Sequence, residues 1–67
     1  MSNWRTLYTA ALSEPEPNKL QGRIEAARQA IHRRIEEIEG TENSRERDQL
    51  DSALHALFTL AARKRSA

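Results

Sequence analysis

The chain has 67 residues, 11 Lys and Arg against 10 Asp and Glu, and a formal net charge of +1. That length allows one domain and only a thin core, since a chain of this size buries just ~60% of the surface it exposes when unfolded. The absence of cysteine excludes disulfides and thiolate metal sites, and the even charge balance offers no strong field toward nucleic acid or membrane.

No apolar run approaches the ~20 residues of a membrane span. The first twelve residues carry one positive charge and an interrupted apolar pattern, so no signal peptide is expected. A reducing compartment, the cytoplasm, is the expected location. Alanine, arginine, glutamate and leucine dominate, and valine is absent. That composition favours helices.

The first predicted helix covers residues 3–12. Trp4, Leu7, Tyr8, Ala11 and Leu12 recur at the spacing of one helix face. Ser2 or Asn3 can cap it. Pro15 and Pro17 end it, because each proline biases its predecessor away from the helical region.

The second predicted helix covers 17–39. Its start has two readings: Pro17 at the first helical position with Glu16 as cap, or a capping box formed by Asn18 and Gln21. Leu20, Ile24, Ala27, Ile31, Ile35 and Ile38 form a narrow stripe, ~80° wide at ~100° per residue. Ile24, Ile31 and Ile38 repeat every seven residues, as in a coiled-coil seam. Gly40 suits the left-handed position just past the helix end.

The third predicted helix covers 44–63, capped by Asn43 or Ser44, with Glu46 completing a box with Asn43. Leu50, Ala53, Leu54, Leu57, Phe58, Leu60 and Ala61 span ~160° at ~100° per residue. One partner helix cannot cover that width. The short link at 40–43 forces an antiparallel return. Ile38 should then pack near Leu50, and Ile24 near Leu60 and Ala61. The surplus width is expected to be covered by helix one, through Trp4, Leu7, Tyr8 and Leu12, or by a second copy. The fold expected is all-α, a short helix plus a long antiparallel hairpin, as a three-helix or dimeric bundle.

Candidate sites divide by chemistry. His32 with Glu36, and His55 with Asp51, each share a helix face. A metal site across the bundle needs both pairs to point inward, which the stripe geometry opposes. A phosphoacceptor role for His32 is disfavoured because Arg33 follows it and no nucleotide-binding segment accompanies it. Arg63, Lys64 and Arg65 can contact phosphates. Three charges give weak binding, however, and they also suit the negative end of a helix dipole. The arginines of helix two are offset by Glu25, Glu36, Glu37 and Glu39. No glycine-rich loop, cysteine nucleophile or paired-carboxylate geometry is present, so neither enzyme activity nor cofactor is expected.

The start Trp4, Leu7, Tyr8, followed by Lys19, Leu20, Arg23, Ile24, Ala27, Ala30, Ile31 and Arg34, resembles small uncharacterised bacterial helical proteins. The resemblance covers residues 4–35 and implies a natural bacterial origin, with no activity or site. The expected role is a non-enzymatic module that binds itself as a homodimer, or another protein. Its core or interface residues are Trp4, Leu7, Tyr8, Ile31, Leu54, Leu57 and Phe58. The alternative is a nucleic-acid-associated protein using Arg63, Lys64 and Arg65. Neither a membrane nor a small-molecule substrate is implied.

Overall fold

A computed structural model describes residues 3–66, with side chains described as far as Arg63. It is a three-helix bundle: α1 (Trp4–Ser13), α2 (Pro17–Ile38) and α3 (Ser44–Ser66). The expected boundaries shift by one to three residues. Ser13 extends α1, Ile38 rather than Glu39 closes α2, and α3 continues to Ser66.

Local chemistry sets each helix start. Asn3 caps α1, its side-chain oxygen accepting the Arg5 N–H at 2.9 Å. The other cap candidate, Ser2, lies outside the described residues. Pro17 takes the first position of α2, and the Glu16 carbonyl accepts N–H bonds from Lys19 and Leu20. The proline reading therefore holds over the Asn18–Gln21 box, because proline has no N–H to leave orphaned there. At the start of α3 the Asn43 carbonyl accepts the Arg47 N–H. Glu46 serves no reciprocal box: Asn43 Nδ2 donates to its carboxylate at 3.1 Å, and its other bonds reach further afield.

Two short links turn the chain. Between α1 and α2, the Glu14 carboxylate accepts from Arg23 Nε at 3.1 Å and from the Glu16 N–H at 3.4 Å. Arg23 thereby holds the Glu14 carboxyl below the usual carboxylate range. Between α2 and α3, Thr41 ties both its N–H and its hydroxyl to the Ile38 carbonyl. Gly40 has φ of +89°, a region where any Cβ is strained.

The core is a seam of Trp4 and Ala11 from α1, Ala27, Ile31 and Ile38 from α2, and Leu50, Ala53 and Leu57 from α3. Ile31, Leu50 and Leu57 are its fully buried large side chains. Ile38 and Leu50 share this seam, whereas Ile24, Ile35 and Leu54 border it. Leu60 and Ala61 are only half-buried.

One expectation about coverage needs correction, and a second is narrowed. Leu12 is exposed, and Ala11 takes the fully buried position on α1 instead. Ala11 lies ~20° from the line of Trp4 at ~100° per residue, whereas Leu12 is turned ~80° from it. Phe58, assigned to the core or an interface from its spacing, is 76% exposed, so it is no part of the core. The reason is that α1 lies on one flank of α3 only, and Phe58 is on the other.

Candidate functional site

Glu46, on the first turn of α3, joins all three helices. Its Oε2 accepts from Arg34 Nε of α2 at 2.6 Å and from Trp4 Nε1 of α1 at 3.3 Å. Its Oε1 accepts from Arg34 Nη2 at 3.0 Å, completing a two-pronged guanidinium–carboxylate pair, and from Asn43. The planar guanidinium suits this geometry in a way that a lysine would not. The Glu46 side chain is only 13% exposed. Bonding by Arg34 draws its pKa down to about 2, with the Trp4 N–H adding to the effect and partial burial opposing it. The same carboxylate, with Glu37, raises the Arg34 pKa.

A carboxyl whose folded pKa lies below its ordinary 4.5 adds stability above that value and loses it as pH falls toward 2. Glu46→Gln should therefore lower the urea midpoint at about pH 6 and narrow the gap between the midpoints at about pH 6 and pH 3. Glu14 accounts for part of the acid sensitivity that remains. Equal pH slopes for the variant and the natural chain would contradict the assignment.

Arg5 extends this polar clasp. Its guanidinium sits 4.7 Å from the centre of the Trp4 ring, and its Nη2 donates to Gln49 Oε1 at 2.7 Å. Tyr8 tilts against Trp4 with ring centres 6.4 Å apart. Beside these residues runs an open depression of about 550 Å³ between α1 and α3, edged by Thr9, Asp48, Gln49 and Ser52. Its size falls within the usual range for small ligands, but it is a trough along the surface, without the enclosure such sites need.

The opposite flank of the hairpin differs. Phe58 lies nine residues beyond Gln49, which turns it ~180° away at ~100° per residue. Because Gln49 faces α1, Phe58 faces away from it. Half-buried Leu54 of α3, and Ile24 and Ile35 of α2, border the core. Wheel positions bring these three toward the same flank. The ion pairs Arg28–Glu25 and Arg47–Asp51 (3.6 Å) accompany them.

The sequence candidates sort accordingly. Trp4, Ile31 and Leu57 are buried, Leu7, Tyr8 and Leu54 are half-buried, and Phe58 stands out. Arg63 is exposed on α3, while the side chains of Lys64 and Arg65 lie outside the described residues. His32 and His55 are both exposed, and Asp51 pairs with Arg47 rather than His55. Among the described residues no group of three His, Asp or Glu side chains is placed to hold a metal ion. No described helix is long and apolar enough to cross a membrane.

Sequence reasoning missed the Glu46 clasp. It treated Arg34 as one of several balanced surface charges and Glu46 as a local capping residue. The only available signal was a carboxylate at the third position of α3, which does not reveal that a tryptophan 42 residues away donates to it. No family model, curated protein or solved structure matches this chain.

Proposed function

We propose that the protein is a non-enzymatic protein–protein interaction module that docks another polypeptide, a copy of itself or a different chain, on the flank of the hairpin away from α1. The observation that carries this reading is Phe58. A large aromatic side chain with 76% of its surface in water, beside half-buried aliphatic neighbours, is what a docking anchor looks like. A single exposed apolar residue needs no explanation, but one continuous with the border of the core does suggest an interface. The expected bacterial origin and cytoplasmic location are part of this proposal. The nucleic-acid alternative rests on Arg63, Lys64 and Arg65.

Crosslinking in the native cell tests the reading. Tagged natural chain and Phe58→Ser should be expressed equally, with equal helicity by circular dichroism. At least one crosslinked polypeptide should be lost or strongly reduced in the Phe58→Ser sample. Identical crosslinks from both chains would overturn the docking role.

A further inference from the structure

We infer that the occupant of this flank is a second copy of the chain, related by a two-fold axis running along the hairpin, so that α2 of each copy lies on α3 of the other. The inference rests on the docking reading above and names its partner.

Three features of the molecule favour a copy. The first is area. The flank is formed by helices of 22 and 23 residues, ~33 Å long and ~20 Å across at ~10 Å per helix. That approaches the ~800 Å² per partner at which specific complexes form. The second is the thin core, whose fully buried large side chains are Ile31, Leu50 and Leu57. Covering Ile24, Ile35, Leu54 and Phe58 from two sides turns a three-helix core into a larger one, without displacing α1.

The third is charge. Counting outward from the middle of the turn sets Phe58 level with Ile24, and Leu54 level with Arg28. A two-fold axis along the helices keeps these levels. Phe58 then meets the partner's Ile24, Asp51 falls within one turn of the partner's Arg28, and Arg47, level with the partner's Ile35, lies ~6 Å along the axis from the partner's Glu39. The ring thus meets apolar surface, Leu54 lies along the aliphatic stem of the partner's Arg28, and the opposite charges stand about a helical turn apart. The net charge of +1 per chain adds little repulsion between copies. The reversed arrangement, with turns at opposite ends, sets Phe58 over the Arg47–Asp51 pair and buries charge beneath a ring, which is costly.

Sedimentation equilibrium tests the copy. The natural chain should be dimeric in the micromolar range, and Phe58→Asp should dissociate at least tenfold more readily with unchanged helicity. Because Phe58 is exposed within one copy, this substitution should remove no core contact of the single chain, which unchanged helicity checks. The arrangement is read separately from Glu42→Cys, in the exposed turn of a chain without other cysteine, carrying a spin label. The label-to-label distance should be shorter than one helix length, ~33 Å. A longer distance overturns the two-fold along the hairpin. A natural chain that stays monomeric at hundreds of micromolar, or a Phe58→Asp dimer of equal strength, overturns the copy. If that monomer still crosslinks a different protein in cells through Phe58, the docking reading survives. Crosslinks indifferent to Phe58 sink both.

Discussion

Ile31→Ala should destabilise the protein by ~2–5 kcal/mol, the usual cost of truncating a buried isoleucine. Ile31 is fully buried in the middle of α2, where all three helices contribute to one seam. Lost transfer energy and a residual cavity both contribute, and close-packed neighbours relax only partly into the gap. The fraction of total stability at stake is unusually large. At ~0.05–0.15 kcal/mol per residue, a chain of 67 residues has only a few kcal/mol to lose. The variant should therefore be substantially unfolded at moderate urea, with a midpoint far below that of the natural chain. Ile24→Ala, at the half-buried border, should shift the midpoint much less in a monomeric preparation. Equal effects at the two positions would contradict the placement of the seam.

Trp4→Ala should cost ~3–5 kcal/mol, and its effect should fall first on α1. The indole is buried in the shared core and donates its N–H to Glu46, and its ring lies under the Arg5 guanidinium. α1 has only ten residues, and helices shorter than ~12–15 residues are marginal alone in water. Removing the anchor leaves Ala11, the half-buried Leu7 and Tyr8, the Glu14–Arg23 pair and the exposed Arg5–Gln49 hydrogen bond to hold it. Hydrogen exchange of the α1 amides should accelerate more than that of α2 and α3. Trp4→Phe separates the two contributions. It keeps most of the apolar volume and loses the N–H, so it should destabilise less than alanine. If α1 amides exchange no faster than those of α3 in Trp4→Ala, the tryptophan is not the anchor.

These two substitutions differ in what the sequence reveals about them. Ile31 announces itself: it stands at the centre of a run spaced for one helix face, and any packing of that helix buries it. Trp4 was legible as apolar and on the inner face of its helix. Its bond to Glu46 was not, because periodicity says which side a residue occupies and nothing about which side chain it meets.

The wide stripe of α3 shows where periodicity stops. Its spacing groups Phe58 with Leu54 and Leu57, yet Leu57 is fully buried and Phe58 is not. The stripe sets the range of directions an apolar helix presents. The position of the neighbours decides how much of that range is covered. Likewise Leu12 and Ala11 are adjacent candidates, and the ~100° step between them keeps Ala11 in line with Trp4 and turns Leu12 to the rim.

Three helices, their order and both turns were determined by the sequence alone. They follow from short-range physics: the 3.6-residue spacing of apolar side chains, the fixed φ and missing N–H of Pro17, the left-handed tolerance of Gly40, and the cap at Asn3. The clasp of Glu46 on Trp4 and Arg34, the burial of Ala11 rather than Leu12, and the exposure of Phe58 emerge from the packing of the three helices. Those outcomes depend on which flank of the hairpin α1 occupies, and that choice is made by contacts between residues far apart in the chain.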